Sequence, residues 1–357
     1  LDAIKKYAGI VETNHNVAID IKSFPAALVL NNNLQFEQNS TAEELKGEIK
    51  KSWQKEDALP LAGAILIGNL PFARMEYFVR ESDGYPAQSL DEKIMRYQVW
   101  TTDLFYMDLD GEWKDEITGV NCGHEQPCSR ITAGSNGIYD RHYSKSGVLG
   151  TDDFEIWVTR VNPYGEARKQ SNFGWQQQLQ NYTTEYFPEV KAMTLRWLDK
   201  AYKQQTKTTP RSDKVLFSYS SHSTLQDNDF PVMNFIRDFS NLYNRTDIVA
   251  QSTKEPYLQS ITEDYDWSLF MGHGAAKFIN NGASITDFDE PLTVNARFFY
   301  FVACNTMRTV SEDGLSYDRS FGYDHIFRTL DGGVTAFGYT KNSGGYQDDE
   351  SFYSHLS

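Results

Sequence analysis

No stretch of this sequence approaches the ~18 consecutive apolar residues that a membrane-spanning helix needs, and the N-terminus lacks the pattern of a signal peptide. The chain begins at Leu1 rather than Met, so a mature or trimmed form is expected, from which a leader or pro-segment would be missing. Basic residues are in deficit: 34 Lys and Arg against 49 Asp and Glu leave a net charge of −15. That balance argues against a nucleic-acid binder, which needs a basic patch or stripe. It steers cationic substrates or partners, and it equally serves solubility. Cysteine is scarce, and three thiols do not make a disulfide framework. No Gly-rich phosphate loop follows the first strands and no Walker lysine is present, which sets a nucleotide-binding domain aside. Repeats and low-complexity tracts are also missing.

What is there suits a folded α/β protein. A hydrophobic share of 40% with 14% aromatics is ample for a core, and 357 residues suggest two domains or one large unit at ~150 residues per domain. Thr41-x-x-Glu44 is a capping box opening a helix with Leu45, Ile49 and Trp53 on one side. Strands are predicted at 26–30, 64–67 and 155–161, with a loop or hairpin insertion over 111–153. Residues 171–203 read as mostly helical, with Trp197, Leu198 and Ala201 at helical spacing. A polar, Pro-containing stretch, 204–213, looks like a connection. It divides the chain into 1–205 and 206–357. The second part continues with a strand at 214–219, a helix at 232–243, two strongly apolar runs, a further helix and a strand at 334–337.

The two apolar runs carry the chemistry. Trp267-Ser268-Leu269-Phe270-Met271 empties into Gly272-His273-Gly274, and Phe298-Phe299-Tyr300-Phe301-Val302-Ala303 ends at Cys304. Unalternating apolar runs read as strands covered on both faces, as in a parallel sheet, and function in such sheets gathers at the carboxyl ends of the strands. The separation 304 − 273 = 31 residues leaves room for a crossover between neighbouring parallel strands. His273 and Cys304 would then emerge on one sheet edge, imidazole beside thiolate. The N–H groups of Gly274 and Cys304 could hold an oxyanion. Singly, a core cysteine and a turn histidine are ordinary. Their joint occurrence at two strand exits is what favours a dyad.

An apolar block with His-Gly followed by one with Ala-Cys resembles the caspase-like clan of cysteine peptidases, most closely the gingipain family. Met271-Gly272-His273-Gly274 and Phe301-Val302-Ala303-Cys304-Asn305 are similar to its paired blocks. Ser320–Arg328 and Gly332–Tyr339 stand where the family has a helix and then a pocket-wall strand. Weaker similarities run in order upstream: Gly63–Pro71, Thr102-Asp103-Leu104-Phe105-Tyr106, and Glu155–Arg160. The resemblance implies a three-layer α/β/α fold of two tandem similar subdomains with mainly parallel sheets. It further implies a Cys304–His273 endopeptidase, and a secreted, cell-surface or periplasmic protein of bacterial or archaeal type. Such a protein acts on peptides or proteins, and an inhibitory pro-segment outside this chain is compatible with it. No cofactor is required for that chemistry.

The family also keeps an acid near its catalytic histidine, where this chain has Ser220 and Ser221, and an Asp that selects a basic side chain. Asp229, or Asp227, aligns with the selective Asp, although Asp229 before Phe230-Pro231 equally suits a helix N-cap. Asn342 and Tyr346 follow the pocket-wall strand and would line the pocket. Two metal readings stay open. Asp108-x-Asp110-Gly111, near Asp103 and Glu112, resembles half of a calcium loop, or else a solvated turn. Cys122 and Cys128, with His124 between, are a small disulfide, unpaired thiols or an incomplete zinc set. The rival to the enzyme is a catalytically inactive caspase-like binding or scaffold module.

Overall fold

Apolar runs without polar alternation need cover on both faces, and the computed structural model gives it to them. Lys214–Tyr219, Arg245–Val249, Trp267–Met271, Phe298–Val302 and Thr335–Gly338 form one five-stranded sheet, all pairs parallel. Across it the order is Arg245–Val249, Lys214–Tyr219, Trp267–Met271, Phe298–Val302, Thr335–Gly338. The structure describes residues 1–26, 28–30, 36–55, 60–80, 94–120, 131–143, 145, 147, 154–163, 187–206, 212–219, 245–249, 253–279, 281–288, 293–303, 306–308 and 319–338. The expected helix over 232–243 lies outside them, as does the first half of the one expected over 171–203.

Cα packing divides the chain into two compact units, one from 1–22, 163–309 and 318–357 and the other from 23–162 and 310–317. In the first, consecutive residues of the central strands are buried on both faces, with Leu269, Phe270, Phe299 and Phe301 at 1% exposure or less. The helix Phe321–Phe327 packs on this sheet, capped by the Ser320 hydroxyl, which accepts from the Tyr323 N–H at 3.4 Å. Its His325 is wholly buried among Phe288, Phe299, Phe301 and Phe321. Nδ1 faces the Phe321 carbonyl at 2.8 Å and Nε2 the Tyr257 hydroxyl at 3.0 Å. Burial lowers this imidazole to about 3 and raises Tyr257, so the pair stays neutral and serves the core.

Two further helices of this unit pack against each other. Asp2–His15, which no periodicity in the sequence reading had marked, packs against Phe187–Gln205 through an edge-on contact of Tyr7 with Trp197, 5.8 Å between centroids. Phe187–Gln205 buries Trp197, Leu198 and Ala201 as the spacing predicts. From the same helix Lys200, 3% exposed, donates to the carbonyls of Ile326 (2.5 Å), Thr329 (3.3 Å) and Gly332 (2.7 Å) and to the Thr329 hydroxyl (3.1 Å). It therefore satisfies the Ile326 carbonyl, which the end of helix Phe321–Phe327 leaves without a helical partner, and two carbonyls of the turn that follows.

Burial lowers Lys200 to about 7 from its ordinary 10.5. Above pH 7 the unfolded chain holds a proton that the folded one has released, so folding gains stability from this group as pH rises from about 7 to 10.5, and below 7 the penalty is at its full size. Lys200→Met is expected to cost about 2–4 kcal/mol at neutral pH by stranding these acceptors. It should also flatten the difference in stability between pH 7 and pH 10, measured by urea unfolding of variant and wild type.

The second unit is built differently. Gly63–Ile67 and Trp157–Val161 pair in parallel, Leu66 opposite Arg160. A long antiparallel hairpin, Ala73–Arg80 with Ile94–Thr102, was not foreseen. The insertion expected over 111–153 contains two short antiparallel pairs, Glu112–Lys114 with Arg141–Tyr143 and Ile117–Val120 with Ile131–Ala133. The capping box forms: the Glu44 N–H donates to the Thr41 hydroxyl at 3.2 Å and the Thr41 N–H to the Glu44 carboxylate at 2.8 Å. Helix Ala42–Trp53 then buries Leu45 and Ile49 with Leu66, Phe105, Leu109 and Ile156.

The weak upstream motifs meet at one side chain of this unit. Arg160, its side chain 1% exposed, binds Asp103 through Nε (3.1 Å to each carboxylate oxygen) and Nη2 (2.7 Å). Its remaining donors reach the carbonyls of Leu70 (3.0 Å) and Pro71 (2.9 Å), and the guanidinium lies over the Phe72 ring at 4.0 Å. Tyr106 closes the group with a bond to the Pro71 carbonyl at 2.7 Å. Asp103 is thus committed to Arg160.

Candidate functional site

The centre of the five-stranded sheet fixes the neighbourhood. Trp267–Met271 and Phe298–Val302 are adjacent and parallel, and the register sets Met271 opposite Val302. Both strands therefore leave the sheet at the same edge, from the same level. Gly272, at φ 157°, turns the chain out, and His273 follows, exposed. Ala303 beyond the other strand is fully buried.

After His273 the chain forms a tight hairpin, Gly274 opposite Ile279 and Ala275 opposite Phe278. The Ile279 N–H donates outward to the Ala283 carbonyl at 3.0 Å, which makes Gly274–Ile279 a pair without ladder hydrogen bonds. The Gly274 N–H accordingly points away from Ile279. Ile279 is buried whereas Phe278 is 51% exposed.

Cys304, Asp227, Asp229, Asn342 and Tyr346 lie outside the described residues, as do Cys122, His124 and Cys128. Of the proposed dyad, His273 and its Gly274 are therefore the described half. His325, the other histidine close to this sheet among the described residues, is walled into the core and cannot serve as a base there.

In the other unit, the carboxylates of Asp108, Asp110 and Glu155 each bring an oxygen within 4.8 Å of the other two. Asp108 is buried; it accepts from the Gly111 N–H at 2.5 Å and pairs with His142 Nε2, while the His142 ring stacks on Trp113 at 4.2 Å. Glu155 accepts from the Leu109 N–H at 2.6 Å. Lys145 binds Asp110 at 2.8 Å and lowers its pKa, whereas burial raises Glu155. These three could hold a metal ion such as calcium. Glu155 was not legible as a member: it is 155 − 110 = 45 residues from Asp110, and only the fold brings it there. Glu112, a candidate by proximity, pairs with Lys114 at 3.5 Å instead.

No protein-family model matches this chain, and no curated protein matches it. Among solved structures it is similar to the complex of Porphyromonas gingivalis RgpB pro- and mature domains, at 13% identity over 85% of this chain and 55% of that one, TM-score 0.44. The Arg-specific cysteine proteinase gingipain R (RGPB) gives 13% identity, 85% and 54% coverage and a TM-score of 0.45. A third, a protease, gives 14% identity, 87% and 52% coverage and a TM-score of 0.44. The chain spans about half the length of the chains it matches.

Proposed function

We propose that this protein is a cysteine endopeptidase whose nucleophile is Cys304 and whose acid–base partner is His273. The observation that carries the reading is the register of the two central strands, Met271 opposite Val302. His273 and Cys304 each stand two residues beyond that pair, 273 − 271 = 304 − 302 = 2. Equal steps from one rung of a parallel ladder, at the edge where such sheets carry their chemistry, support a thiol and an imidazole within reach of each other.

In the reaction the Cys304 thiolate attacks the peptide carbonyl carbon, and its oxygen takes up the negative charge. The Gly274 and Cys304 amides hold that oxyanion. His273, protonated by the thiol, gives its proton to the leaving amine as the C–N bond breaks. Water, deprotonated by the same imidazole, then hydrolyses the thioester and restores the thiol. Asp229, or Asp227, is the candidate for selecting a basic side chain, with Asn342 and Tyr346 along the pocket. Cleavage profiling on a mixed peptide library tests activity and preference together: cleavage after Arg or Lys is expected, and an apolar or acidic preference would remove the two aspartates from this role. No cleavage of any peptide would favour the inactive scaffold reading.

Phe278, exposed in the hairpin that follows His273, is suited to contact the substrate chain. Phe278→Ala should raise KM about 5- to 10-fold, which corresponds to 1.0–1.4 kcal/mol of lost apolar contact, with little change in kcat.

The carboxylates of Asp108, Asp110 and Glu155 suit a hard cation, and we assign calcium to them as a structural ion with no part in the reaction. Calcium at about 100 times its Kd should stabilise the protein by about 2.7 kcal/mol, seen as a higher Tm. Glu155→Gln should remove that rise. Because burial raises Glu155, a proton on that carboxylate competes with calcium, and calcium affinity should fall as the pH is lowered into the carboxylate range.

A further inference from the structure

One short helix binds both loops of the proposed dyad. Consecutive amides at the start of Phe321–Phe327 take carbonyls from two different segments: Phe321 N–H donates to Ala276 in the histidine hairpin at 2.7 Å, and Gly322 N–H to Thr306 beyond the cysteine strand at 2.8 Å. N–H groups of a first helical turn have no helical partner, so both are free for this use. Ser320, fully buried, adds a bond from its hydroxyl to the same Thr306 carbonyl at 3.1 Å while capping the helix. Thr306 in turn donates to the Ala303 carbonyl at 3.1 Å.

Further contacts brace the arrangement. Arg319 grips Asp324 through Nε at 2.9 and 3.0 Å, and its Nη2 donates to the Ile285 carbonyl. Ile285 N–H donates to Lys277 of the hairpin at 2.9 Å. Close approach is built in as well: a β-carbon on Gly322 would meet Met307 Sδ at 2.2 Å and the Thr306 carbonyl oxygen at 3.1 Å.

We infer that Ser320 and the start of this helix are positioning elements that set the spacing of the His273 and Cys304 loops; this rests on the peptidase reading above. The hydrogen bonds run from Ala276, three residues after His273, through Phe321 and Gly322 to Thr306, two residues after Cys304. A small shift of one loop against the other weakens the imidazole–thiolate pair, and misplacement by about 1 Å costs on the order of 10²-fold in rate.

The test compares wild type with Ser320→Ala, Ser320→Thr and Gly322→Ala. It reads kcat and KM on a cleaved peptide and the pH midpoint of Cys304 alkylation by iodoacetamide. Ser320→Ala should lower kcat about 10-fold or more with KM little changed, and move the midpoint toward the ~8.5 of an ordinary thiol. Ser320→Thr, which keeps the hydroxyl, should restore both.

Gly322→Ala presses on the Met307 sulfur and on the Thr306 carbonyl, so it should reproduce the kcat loss, with the Tm measured alongside to show that the protein is folded. If Ser320→Ala does not fold, Gly322→Ala decides. Folded Ser320→Ala or Gly322→Ala with wild-type kcat and midpoint overturns the inference, and so does failure of both to fold, because the contacts then serve stability alone. Wild type that cleaves nothing and alkylates like free cysteine defeats the peptidase reading itself, a result distinct from either.

Discussion

Cys304→Ala is expected to lose hydrolysis of every peptide the wild type cleaves, by about 10⁴-fold or more in kcat, while its unfolding transition stays where it was. The thioester cannot form without the sulfur, and what remains is the contribution of the oxyanion donors and of substrate binding. His273→Ala should fall nearly as far, because a thiolate without its imidazole has no proton donor for the leaving amine. The double variant should be little worse than either single one, since residues that act as a unit are not additive. His273 is exposed, away from the buried core of Phe299 and Phe301, so its loss should spare the fold. Activity surviving in Cys304→Ala would sink the assignment.

The second large effect is on stability. Arg160→Met is expected to cost about 3–5 kcal/mol, the range for breaking a buried ion pair from one side. It strands the Asp103 carboxylate and the Leu70 carbonyl and leaves the Pro71 carbonyl with the Tyr106 hydroxyl alone. Arg160→Lys should recover less than half of that loss, because a single ammonium cannot reproduce a planar fork that addresses three groups at once and lies flat on Phe72. Urea unfolding measures both; a loss below 1 kcal/mol for Arg160→Met would show that the network is dispensable.

How far the sequence could be read depends on the range of the forces involved. The capping box at Thr41 and Glu44 was legible because its partners are three residues apart. The central strands were legible because burial on both faces leaves unbroken apolar runs, whereas their register has no such signature, since a slip by one residue still buries apolar side chains. Helix Phe321–Phe327 and strand Thr335–Gly338 lie where the motif order put them.

Other features had no local signature. Strand Arg245–Val249 carries Arg and Asp among its residues, so it lacks the continuous apolar run that marks its neighbours. Glu155 joins Asp108 only through the strand pairing of the folded unit. Thr306, Ala276 and Ser320 are commonplace residues, and their role rests on backbone amides and a hydroxyl that composition does not advertise. The motifs around Asn69, Asp103 and Arg160 were visible as similarities, yet their physical content, one guanidinium tying them together, is a matter of three dimensions.

The most direct measurement is the rate of iodoacetamide labelling at each cysteine at pH 6, followed by mass spectrometry of the digested protein. A dyad lowers the thiol pKa, so Cys304 should label at least 10-fold faster than free cysteine and faster than Cys122 or Cys128, and His273→Ala should abolish the advantage. Labelling of Cys304 no faster than free cysteine, or unchanged by His273→Ala, would contradict the account.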